Sequence, residues 1–118
     1  MNTLTEQEVF DTVINHLRTQ GHQATDKDSC VYRSIAGDKC AAGSLIQDDE
    51  YQPWMENHLI IKVLKDDRCP TSLQQRLTPH LPLITELQRI HDRNEDVNEW
   101  EIRWARTATD YKLAYRSP

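Results

Sequence analysis

Two of the three thiols, one of the five imidazoles and a handful of carboxylates are the side chains in this 118-residue chain whose placement could do chemistry. Cys30 and Cys40 flank a Gly-containing turn, and His91 and Asp92 follow on a later segment. Thiolate, imidazole and carboxylate are the donor set of tetrahedral zinc, so Cys30, Cys40 and His91 are candidate metal ligands. The same residues also outline a thiol hydrolase or transferase. Cys40 would be the nucleophile, His91 the base, and Asp92 or Asp48 its orienter. Spacing argues against both readings, because the chain has no Cys-x-x-Cys or His-x-x-x-His pair and no local nucleophile signature. The plainer expectation is that the cysteines pack as small hydrophobes and His91 packs at the end of an apolar stripe. No cofactor is expected, and any enzymatic role would centre on Cys40 and His91.

Binding residues are more plausible than catalytic ones. Arg33 beside Tyr32 can grip a phosphate or carboxylate with two parallel N–H bonds, or can tie the surrounding turn to Asp48 or Asp92. Trp100, Trp104, Ala108, Tyr111 and Tyr115 recur at helical spacing. That face is core if it is covered and a partner-binding surface if the tryptophans are exposed together. Tyr32, Arg33, Trp100 and Trp104 are therefore the candidate binding residues.

The elements that must position these groups are mostly helical. Thr5 and Glu8 form a capping box, Val9, Phe10, Val13, Ile14 and Leu17 make one apolar stripe, and Gly21 supplies a left-handed end. Cys30 to Arg33 and Lys39 to Ala41 read as a short hairpin around Ala36-Gly37-Asp38. Gly43 permits another backbone to approach closely. A second helix is expected from Pro53 to an end near Lys65-Asp66-Asp67, and a third after a Ser72–Gln75 capping box. A fourth runs from Pro82 to a stop at Asn94, and the last is opened by Asp96 and extends past Tyr111 to Tyr115. The expected fold is α+β and predominantly helical. About five helices surround one core, with a short β-hairpin near residues 30–41 and a single domain spanning 1–118.

Composition narrows the function classes. The net charge is −5, with the acidic excess concentrated before residue 61. A general nucleic-acid binder needs a basic footprint, so nucleic acid is an unlikely partner. No apolar run reaches the roughly 18 residues of a membrane helix. The N-terminus lacks a signal peptide's basic and apolar regions, which makes the expected location cytoplasmic and the thiols reduced.

The residues Cys30-x-Tyr32-Arg33, Gly37-x-Lys39-Cys40-Ala41-x-Gly43-x-Leu45-Ile46, Asp48, Tyr51 and Met55-Glu56 form a pattern. With Leu87-Gln88-x-Ile90-His91-Asp92 and Trp100, it resembles a family of small uncharacterised proteins of bacteria and their phages. Gln47 departs from it, standing where that family has proline. The resemblance covers most of the chain and implies a shared fold, with no activity to carry over. The functional expectation is a small regulatory protein acting by protein–protein contact, such as a modulator in phage–host interplay. The alternative is the thiol- or zinc-dependent enzyme centred on Cys40 and His91.

Overall fold

The structure, a computed structural model, describes residues 4–93 and 96–118. Among these, five α-helices and one two-stranded hairpin form a mostly helical α+β fold. Helix α1 (Glu6–Gln20) opens with the full capping box: Glu8 N–H donates to Thr5 Oγ1 and Thr5 N–H donates to Glu8 Oε1. It closes on Gly21 at φ 77°. Its stripe of Val9, Phe10, Val13, Ile14 and Leu17 is buried throughout.

The hairpin lies slightly earlier than the sequence suggests. β1 (Thr25–Asp26) pairs antiparallel with β2 (Ser29–Cys30), and Lys27 and Asp28 make the turn at φ 51° and 67°. Positive φ at both central residues is the geometry that matches the twist of two-residue hairpins. Further on, only Arg33 and Lys39 form a bridge, around a turn with Gly37 at φ 95°. That register sets Cys40 opposite Tyr32, with Cys40 N–H on the Tyr32 carbonyl, so Cys30 and Cys40 do not face each other.

Gly43 marks a close approach of two backbones. A Cβ there would sit 2.1 Å from the Tyr32 carbonyl oxygen. The residue opens a 3₁₀ turn, Gly43–Leu45, that packs on α1.

The stretch after Pro53 is not one helix. Pro53–Met55 is a 3₁₀ turn, Asn57 takes φ 65°, and helix α2 (Ile60–Lys65) starts afresh. Leaving the right-handed region at Asn57 breaks the hydrogen-bond ladder, and it turns Leu59 outward to 72% exposure.

Helix α3 (Thr71–Leu77) has Pro70 at its cap and no capping box, because the Ser72 hydroxyl donates to Glu50 instead. A 3₁₀ turn, Thr78–His80, leads into α4 (Leu81–Arg93). The expected stop at Asn94 lies outside the described residues. Asp96 caps α5 (Val97–Tyr111) by accepting from Asn98 N–H. This helix ends at Tyr111, where Lys112 turns left-handed at φ 57° and Leu113 N–H reaches back to the Ala108 carbonyl. That closure is a Schellman-type stop, and Tyr115 returns on an extended tail instead of on the helix.

Candidate functional site

Trp100 and Trp104 are fully buried, their rings 5.7 Å apart. The expectation that they form a binding face is therefore corrected. The stripe faces α4, and each ring removes on the order of 200 Å² from water, a core contribution. Arg33 also has a structural post. Its guanidinium bonds the Ile46 carbonyl at 2.8 Å and Asp48 at 2.8 Å, and lies 4.8 Å from the Tyr51 ring centroid. It fastens the Arg33–Lys39 turn to the segment after Ile46.

Cys40 is wholly buried, and burial pushes its thiol up to about 12 even though Gly43 N–H donates to the sulfur. A nucleophile needs a thiolate within reach of substrate. Cys40 has neither the charge nor the access. The second cysteine behaves differently. Cys30 is exposed on β2, and its sulfur lies with a ring nitrogen of His91 and a carboxylate oxygen of Asp92 so that all three atoms are within 4.8 Å of one another. The convergent trio is thus Cys30, His91 and Asp92, and Cys40 is not part of it.

The protonation of His91 decides what this trio can do. The ring is completely buried and stacked on Trp100 at 5.8 Å. Ala24 N–H points at Nε2 from 3.1 Å. A backbone N–H can only donate, so Nε2 carries the lone pair and Nδ1 carries the proton. Nδ1–H then donates to Asp92 Oδ1 at 2.8 Å. A metal on Nδ1 would have to strip that proton while Nε2 stays occupied, leaving an imidazolate, or else break the Ala24 bond. The ring is set to orient a carboxylate, not to ligate an ion or to take a proton from a thiol.

Asp92 is the beneficiary. Its Oδ1 accepts a second bond, from Gln88 Nε2 at 2.9 Å, and Gln88 is itself fixed by Ala42 N–H on its Oε1 at 2.8 Å. Oδ2 receives no bond from a described residue, and the side chain is 39% exposed. Two layers of hydrogen bonds thus hold one carboxylate at a fixed angle.

That carboxylate lines a cleft of about 540 Å³ between α4 and the residues leading into α2. Its lining comes from Cys30 and Tyr32, from Thr85, Gln88 and Arg89 on α4, and from Leu59 to Ile61. The volume suits one or two side chains of a partner or a small ligand. Tyr32 is buried at the rim, where its hydroxyl donates to the His58 carbonyl, and burial raises its phenol far above the ordinary range. Glu56, the other acid in the cleft, is fully engaged by Tyr32 N–H at 2.9 Å, Arg33 N–H at 3.1 Å and the Tyr51 hydroxyl at 2.7 Å.

Of the residues singled out from the sequence, Cys30, Tyr32 and Asp92 line the cleft and His91 bonds Asp92 from the core, whereas Arg33, Cys40, Trp100 and Trp104 do not line it; Leu59, Gln88 and Ala24 were not among the candidates. Gln88 stands four residues before Asp92, a spacing that faces two side chains on a helix, and that was the available signal. The Ala24 bond has no sequence signature. Comparison with protein-family models, curated proteins and solved structures finds no match to this chain.

Proposed function

We propose that the chain is a protein-interaction module that regulates a partner by seating part of it in the cleft between α4 and the α2 entry. The observation that carries this reading is the cleft itself, lined by Leu59, which is 72% exposed, and by the oriented carboxylate of Asp92. A concave cleft walled by apolar side chains, with a few fixed polar groups among them, is the make-up of a binding site. The phage association implied by the sequence resemblance makes a host protein the natural partner. The thiol- or zinc-dependent alternative gains Cys30 as an accessible sulfur. It still lacks a base, because both nitrogens of His91 are committed within the fold.

A photo-crosslinking amino acid placed at position 59, and separately at the distant exposed Ile102, tests the proposal. The expected result is one discrete adduct from position 59, suppressed by excess unlabelled protein, and none from position 102. Equal labelling from both positions would reject the cleft as the docking surface.

A further inference from the structure

We infer that the cleft's occupant presents a basic side chain, arginine or lysine, to Asp92, with apolar residues beside it; this inference rests on the docking role of the cleft. Three observations point to that chemistry. First, Asp92 is the only carboxylate of the cleft with an uncommitted oxygen among the described residues, since both oxygens of Glu56 accept bonds from within the fold. Second, the support beneath Asp92 exceeds what a solvated surface charge requires. His91 and Gln88 both bond Oδ1, and each is anchored in turn by a backbone N–H, from Ala24 and Ala42. A carboxylate whose angle is fixed before binding loses little rotamer entropy on pairing with a guanidinium or ammonium. Third, Leu59, Ile60 and Ile61 give the stem of a long basic side chain an apolar wall to lie against. At longer range the net charge of −5 attracts a basic partner and repels an acidic one.

Two cationic groups oppose this reading and sharpen its test. Arg89 is held by Glu86 at 3.2 Å, so its charge is partly offset. Arg93 lines the same cleft beside Asp92 and is the group that a basic occupant must tolerate.

The experiment uses the full chain, labelled with ¹⁵N, titrated with the capped peptide Ac-Ala-Leu-Arg-Leu-Ala-amide and with its counterpart carrying glutamate at the centre. The arginine peptide should shift the amides of Cys30, Leu59 and Arg93, and the glutamate peptide should not. Asp92→Asn, a substitution of an exposed side chain, should weaken the arginine peptide by roughly tenfold or more, the size expected for a charge-assisted hydrogen bond. Arg93→Ala should tighten it. Stronger shifts from the glutamate peptide at the same amides would overturn the basic-anchor inference while leaving the cleft as a docking site. Absence of any shift, or an unchanged affinity in Asp92→Asn, would overturn it as well. Failure of the crosslink at position 59 is a separate result and bears on the cleft alone.

Discussion

Replacing Glu50 by Gln removes one charge from the most buried carboxylate–guanidinium pair among the described residues. Glu50 and Arg76 side chains are only 3% and 6% exposed. Arg76 grips both carboxylate oxygens, at 2.9 and 2.7 Å, and also bonds the Leu45 carbonyl at 2.7 Å. Ser72 Oγ and Gln47 N–H complete the shell around the carboxylate. Burial by itself would raise the Glu50 carboxyl. The guanidinium, the Gln47 N–H and the Ser72 hydroxyl outweigh it and hold the group at about 2 instead of 4.5. A lowered pKa stabilises the folded chain at every pH above the unfolded value and loses that contribution as pH falls from about 4.5 through about 2. At roughly 1.4 kcal/mol per pH unit, the contribution at neutral pH is on the order of 3 kcal/mol. That agrees with the ~3–5 kcal/mol cost of leaving one partner of a buried pair uncompensated.

Urea unfolding of wild type and Glu50→Gln should therefore differ by about 3 kcal/mol at pH 7, with the gap closing as pH falls from 4.5 toward 2. The double substitution Glu50→Leu with Arg76→Met should regain much of the loss, since a matched apolar pair avoids desolvating two charges. A gap below ~1 kcal/mol at pH 7, or one that does not change with pH, would refute the reasoning.

Other outcomes follow from single features. Gly43→Ala places a Cβ 2.1 Å from the Tyr32 carbonyl, between two backbones that cannot yield, and should cost more than ~3 kcal/mol by thermal unfolding. Iodoacetamide on the native protein should modify Cys30 first and leave Cys40 untouched until urea is added, as peptide mass spectrometry can show; early labelling of Cys40 would contradict its burial. Arg18→Ala removes the paired bonds to Glu101 and the bond to the Arg116 carbonyl, and should speed tryptic cleavage after Lys112 with little change elsewhere.

Much of this architecture was legible because local rules and global packing agree. The capping box and apolar stripe of α1 appear as expected, as do the Asp96 cap and the close approach at Gly43. The hairpin shifted because Lys27 and Asp28 adopt a left-handed turn without glycine, a choice the composition of that loop does not advertise. Met55 and Leu59 kept helical spacing across a break made by Asn57, so periodicity overran the true helix start. Ser72 had the spacing of a cap, but a buried carboxylate outcompeted the backbone for its hydroxyl. At the candidate site, His91 and Asp92 were visible as a pair of adjacent residues. Their roles were not, because those depend on a backbone donor at Ala24, 67 residues away in the chain.

Gln7 Nε2 donates to the Ala114 carbonyl at 3.1 Å, and Ala114 N–H donates to Gln7 Oε1 at 2.8 Å. A single amide side chain thus serves as a surrogate strand neighbour, pairing with the main chain in both directions. Recognition of this kind ignores side-chain identity at position 114 and rejects only proline there, which has no N–H to give. It also brings two segments 107 residues apart into direct contact.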